Sequence, residues 1–138
     1  HQPEEVLKGM GDWCQDTHGR SGLTQRVRES EIDQREAEAR TLAFVEEWFP
    51  GIPATLAGNS VHQDRAFLLR HMPRLAQRLH YRIVDVSSVK ELVQRWYPEI
   101  HEGKPAKSDA HRALEDVRQS LEELRYYRDQ VFRSPAEA

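Results

Sequence analysis

Two short segments interrupt an otherwise helical hydrophobic period, and they restrict the chain to a mixed α/β fold. Ala54 to Gly58 is a short apolar run that ends in Gly58-Asn59-Ser60. Tyr81-Arg82-Ile83-Val84-Asp85-Val86 is rich in β-branched residues. Both read as strands, the first as a buried one. Between them, Val61 to His71 has helical spacing, with Phe67, Leu68 and Met72 inward. A helix between two strands argues for a parallel pair inside a layered α/β fold.

The other segments are helical. Pro3 to Gly19 is a short helical stretch broken at Gly9 and Gly11, with His18 to Gly22 as a loop. Leu23 to Glu29 is a second patch. Ser30 caps a helix over Asp33 to Phe49, whose inward stripe is Ala37, Thr41, Phe44, Val45 and Trp48. Its solvated face holds Arg35, Glu36, Glu38, Arg40, Glu46 and Glu47. Pro50-Gly51-Ile52-Pro53 ends it. Ser87 and Ser88 cap a helix to about Trp96, with Val89, Leu92 and Val93 inward. His101 to Asp109 is a loop. The last helix runs from Ser108 to Phe132 on the stripe Ala110, Ala113, Leu114, Val117, Leu121 and Leu124.

Composition sets the scale of the core. Leu, Ile, Val and Phe supply 30 of 138 residues and 31% are charged, so the core is small and the helices are wet outside. A net charge of -3 gives no global basic field. Any nucleic-acid substrate is therefore held by local contacts and metal ions. No apolar run approaches the ~20 residues of a membrane span. The single Cys14 cannot close an internal disulfide, which points to a reducing compartment.

Two places put acidic groups where a metal could use them. Asp64 falls in the first turn of the helix after the first strand, where open α/β sheets place ligands. His111 opens the last helix and Asp116 follows five residues on, about 140° around the axis. The two converge only if His111 reaches back from the frayed helix start. Each residue also has an ordinary structural role: Asp64 complements the helix dipole, and Glu115-Asp116 is a charged face.

Long strings in this chain resemble the oligoribonucleases. They are Leu56 to Leu68, His80 to Ser87, Val89 to Leu92 with Arg95 to Pro98, and His111 to Asp116. The run from Asp12 to Leu23 also matches, and the similarity is collinear from His1 to about Phe132. The resemblance implies an RNase H-like α/β fold in a single exonuclease domain over residues 1–138. It implies a 3′→5′ exoribonuclease acting on short RNAs, chiefly dinucleotides, and releasing 5′-mononucleotides. By that match Asp64 and Asp116 are metal ligands for two Mg²⁺ or Mn²⁺ ions, and His111 is the general base. Trp13 and His18 match base contacts. Ser60, Ser87, Lys90 and Arg82 match a polar cap around the substrate's 5′ end, with Tyr81 and Arg82 coming from the partner of a homodimer. Trp13 could equally be core, and Ser87 can also be a helix cap. Asp85 is read as structural. The expected compartment is the cytoplasm, or the mitochondrion in a eukaryote, with no membrane and no other stable protein partner.

The chemistry suits those residue types. Phosphodiester hydrolysis builds charge on the attacking and leaving oxygens, and two ions held by hard carboxylate oxygens stabilise both. The resemblance also shows a departure: the family's Asp-x-Glu-x-Thr-Gly strand has no counterpart here. The expectation is an N-terminally truncated fold, the C-terminal portion of the domain, that lacks half the carboxylate cage, is inactive alone and is marginally stable. A DEDDh-type proofreading DNA exonuclease and a non-catalytic nucleic-acid-binding fragment are the alternatives.

Overall fold

The computed structural model describes residues 1–106 and 113–132. Its elements run α1 (Glu4–Lys8), α2 (Asp12–Arg20), α3 (Leu23–Glu29), α4 (Gln34–Trp48), β1 (Ala54–Gly58), α5 (Val61–His71), α6 (Pro73–Arg78), β2 (Leu79–Asp85), α7 (Val86–Trp96), α8 (Pro98–Glu102) and α9 (Ala113–Val131). β1 and β2 pair in parallel. The mixed α/β class and the parallel pair expected from the sequence are both present. Among the described residues no helix is long and apolar enough to cross a membrane.

Register in the pair is irregular. Ala54 faces Leu79 and Leu56 faces Ile83, so β2 uses four steps where β1 uses two. The extra residues are around His80 to Arg82. Such bulges re-aim side chains and are common beside active sites.

The boundaries of α3, β1 and α5 fall where the periodicity puts them. Several other details differ. α2 continues through His18 and Gly19 to Arg20, because the backbone amides of Ser21 and Gly22 still find Thr17 and Gly19 carbonyls. The cap of α4 is Asp33, whose Oδ1 accepts from Glu36 N at 2.8 Å, whereas Ser30 Oγ accepts from Ile32 N outside the helix. Pro73 at the first turn of α6 and Pro98 at the first turn of α8 start two short helices that periodicity did not reveal. β2 ends at Asp85, and Val86 already belongs to α7.

Among the described residues the core forms two small clusters. Val45, Ala54 and Leu75 pack with Leu68, Met72 and Leu79. Val86, Val93 and Tyr127 pack with Val89, Ile100, Leu124 and Val131. Much of the expected apolar stripe lies outside them. Phe44, Trp48, Phe67, Leu92, Leu114, Val117 and Leu121 are exposed. In β1, Thr55 and Ala57 are exposed while Ala54 is buried, so this strand is covered on one face and is not the buried strand expected. Glu38, assigned to a solvated face, is buried. Its Oε1 accepts from the amides of Arg74 at 2.8 Å and Leu75 at 3.2 Å, and so caps the start of α6.

Candidate active site

The turn between β1 and α5 organises the polar corner of the molecule. It is Gly58-Asn59-Ser60, and Ser60 has a left-handed backbone with φ 52°. That geometry costs a non-glycine residue about 1–2 kcal/mol. It is held by Ser60 N, which donates to Asp85 Oδ1 and to Ser87 Oγ, both at 3.0 Å. Strained backbone fixed by its surroundings is a frequent feature of functional sites.

Asp85 is the second anchor. It ends β2 and caps α7, accepting from Ser87 N at 2.9 Å. Ser87 is thus within the first turn of α7, not its cap. His62 Nδ1 is 3.1 Å from the other Asp85 oxygen. Burial alone would raise the Asp85 carboxyl, but the His62 bond and the amides of Ser87 and Ser60 outweigh it and hold it below its ordinary value. The structural reading of Asp85 therefore stands, with a defined job: it joins the start of α5 to the start of α7.

Asn59 brings α9 into the same corner. Ser87 Oγ donates to Asn59 Oδ1 at 3.1 Å. Asn59 Nδ2 donates to Ser120 Oγ and to Glu123 Oε2, each at 3.0 Å. Ser120 Oγ in turn donates to the Asp116 carbonyl at 2.8 Å. Tyr127 OH donates to Glu123 Oε1 at 3.1 Å, and Lys90 Nζ lies 3.8 Å from that oxygen. Burial, then the Glu123 carboxylate, pushes the Tyr127 hydroxyl far up, so it stays a donor.

Helical geometry explains how Asp116 fits. Asp116, Ser120, Glu123 and Tyr127 are spaced i, i+4, i+7 and i+11, which is one face of α9. Asp116 is the exposed overhang of the packed face. Asp64 is exposed in the first turn of α5, five residues after Asn59. Phe67, Arg70 and His71 bound a shallow depression beside it. The structure therefore ties the segments carrying the two acidic residues through Asn59 and Ser120.

The two carboxylates have the right chemistry for a hard divalent cation, since both offer oxygen donors open to solvent. Among the described residues no group of three or more His, Cys, Asp or Glu side chains could hold a metal ion. So the two carboxylates offer suitable donor atoms, and the described residues do not gather a complete metal site. His111 lies outside the described residues, as does Ala110 of the expected α9 stripe.

Among the described residues the other expected contacts are found in three places. Ser60 and Ser87 meet in the Asn59 corner, where Ser60 Oγ is 3.1 Å from Ser87 Oγ, and Lys90 is linked to it through Glu123. Trp13 is 65% exposed, so it is not a core residue, and its ring meets that of His18 edge-on at 6.4 Å. Tyr81 is 68% exposed in the β2 bulge. Its ring stacks on His80 at 4.6 Å and carries the Arg82 guanidinium at 5.3 Å. Sequence reasoning missed Asn59, Ser120 and Glu123. The available signal was the i+7 step from Asp116 to Glu123, masked because Glu122-Glu123 looks like a wet face.

Comparison with known proteins adds a direct result. The profile of the RNase T exonuclease family matches residues 1–124. The chain is 57% identical over 129 residues to the oligoribonuclease of Pseudomonas paraeruginosa, covering 94% of this chain and 71% of that protein. It is 52% identical over 132 residues to the oligoribonuclease of Aliivibrio fischeri, covering 96% and 72%. It is 51% identical over 132 residues to the mitochondrial oligoribonuclease of Homo sapiens, covering 96% of this chain and 56% of that one. With nine-tenths of its length matched by the exonuclease profile and such identity to several of its members, the chain belongs to the oligoribonuclease family of exonucleases.

Proposed function

We propose that the chain acts in a 3′→5′ exoribonuclease that degrades short oligoribonucleotides, chiefly dinucleotides, to 5′-mononucleotides. The reading rests on family membership, and one structural observation carries it. The face of α9 that bears Asp116 is bonded through Ser120 and Asn59 to the turn that opens α5 with Asp64. Two acidic residues far apart in sequence are thereby held on connected segments.

In this reading residues 1–138 belong to a single exonuclease domain. Asp64 and Asp116 contribute oxygen ligands to two divalent ions, Mg²⁺ or Mn²⁺. When bound, such ions stabilise charge on the attacking and leaving oxygens of the phosphodiester. His111 takes the proton of the attacking water. Trp13 offers an exposed face for a base to stack on, with His18 beside it. The Ser60 and Ser87 hydroxyls and the Lys90 ammonium receive the 5′ end. A corner closed in this way selects length, because a longer RNA would place a charged phosphate where it closes. Tyr81 and Arg82 are exposed on the β2 bulge, as suits residues that cross into a second subunit's site. The expected compartment is the cytoplasm, or the mitochondrion in a eukaryote.

The test is release of mononucleotides from a diribonucleotide by the intact protein with Mg²⁺ or Mn²⁺. Asp64→Asn abolishes it. His111→Ala lowers the rate by roughly 10²–10⁴ and spares metal affinity. Near wild-type turnover in Asp64→Asn refutes the assignment, and faster cleavage of long DNA than of the diribonucleotide supports a proofreading enzyme instead. Mixing Asp64→Asn and Tyr81→Ala subunits restores part of the activity if Tyr81 serves its partner. No recovery despite subunit exchange shows that it serves its own chain.

A further inference from the structure

We propose that Glu123 is a positioning residue for the substrate's 5′ end, acting through Asn59 and Lys90. The inference rests on the reading of Ser60, Ser87 and Lys90 as substrate contacts. Glu123 is 2% exposed. A carboxylate that deep is costly unless it is charge-partnered and hydrogen-bonded. Its partners among the described residues include parts of the candidate site and its supports: Asn59 Nδ2, Tyr127 OH and, at 3.8 Å, Lys90 Nζ.

The order of donors in this network is determined. A carboxylate only accepts, so Asn59 must present its NH₂ to Glu123 and Ser120, and its carbonyl to Ser87. Ser87 has one hydroxyl proton, and it goes to Asn59 Oδ1. Its lone pairs therefore face Ser60, from which they accept the backbone N–H at 3.0 Å. The Ser60 hydroxyl is then the donor of its 3.1 Å contact with Ser87 Oγ, and an incoming phosphate oxygen would take that proton over from Ser87. Lys90 is three-quarters covered, and Glu123 is the carboxylate that restrains its ammonium beside the same corner. Glu123 thus sets both the polarity of the hydroxyl pair and the position of the cation, without touching substrate.

The experiment compares Glu123→Gln, Asn59→Ala and Lys90→Ala in the intact protein, using a 5′-phosphorylated diribonucleotide and measuring kcat and KM separately. A positioning role raises KM about tenfold in Glu123→Gln and in Asn59→Ala, with kcat changed by less than about threefold; tenfold is the scale of one charge-assisted contact. The effect of Glu123→Gln on KM should shrink in the Lys90→Ala background. Loss of folded protein alone lowers the apparent kcat and leaves KM where it was. An unchanged or lower KM in Glu123→Gln and Asn59→Ala, with Lys90→Ala raising it, overturns the inference. An unchanged KM in Lys90→Ala refutes the substrate-contact reading on which it rests. If Glu123→Gln does not fold, Asn59→Ala decides alone, because Asn59 sits in a half-buried turn outside the helices.

Discussion

Along α9, Leu114, Val117 and Leu121 point to solvent, while Ser120, Glu123 and Tyr127 pack against the β1–α5 turn and α7. The helix α4 repeats the contrast: Phe44 and Trp48 are exposed and Glu38 is buried. Hydrophobicity alone does not decide burial on these helices. Glu123 has Asn59 and Tyr127, and Glu38 has the two free amides of α6. A buried carboxylate with such partners is tolerated, whereas an apolar side chain needs a surface to cover it.

The largest expected effect probes the packed face at its exposed end. On the proposed reading of Asp116 as a metal ligand, Asp116→Asn in the intact protein should lower the turnover of a diribonucleotide by at least about 10³, the scale of several kcal/mol of charge stabilisation. A small loss there would detach the packed face of α9 from the chemistry.

The next effect sets the two faces against each other. Tyr127 is fully buried, at 0% exposure. Tyr127→Ala should cost about 3–5 kcal/mol in denaturant unfolding, as truncation of a buried aromatic does. Leu121→Ala on the opposite face should stay within about 0.5 kcal/mol. A cost above about 2 kcal/mol for Leu121→Ala would break the comparison, because it would show that this face is covered in solution.

Glu38→Ala tests the same rule on α4. It leaves the Arg74 and Leu75 amides without an acceptor, at a cost of about 1–3 kcal/mol. The smallest effect concerns Asp85. Its folded carboxyl lies below the ordinary value, so its contribution to stability is complete above roughly pH 4. That contribution is lost as the pH falls through the folded value. Asp85→Asn should lower stability at neutral pH by about 0.5–1 kcal/mol, on the scale of a helix cap. It should also flatten the acid limb of the stability curve below about pH 4, measured by urea unfolding. An unchanged acid limb would show that the His62 and Ser60 contacts do not favour the charged form.

Local information was sufficient where the chain's own neighbours settle the outcome. β1 and α5 were legible from the switch between an apolar run and helical spacing, with Gly58-Asn59-Ser60 at the junction. The parallel pairing followed from the helix between the strands. The strings around Asp64 and Asp116 carried the family, because a collinear set of motifs depends on order and spacing alone. α6 and α8 were not legible: each is about one and a half turns, too short to show a period, and is marked only by its opening proline.

What tertiary structure alone decided is which carboxylates of α4 and α9 are inside and which apolar residues there are left outside. Leu114, Val117 and Leu121 form a proper apolar stripe by periodicity, yet the surface that meets α9 is the β1–α5 turn and α7, and it offers the Asn59 amide, the Lys90 ammonium and the apolar Val86 and Val93. Those groups select Ser120, Glu123 and Tyr127. Periodicity reports that a helix has two kinds of face, and the physical reason it cannot choose between them is that a polar side chain's burial cost depends on partners contributed from far along the chain. Asn59 reaches Glu123 across 64 positions of sequence.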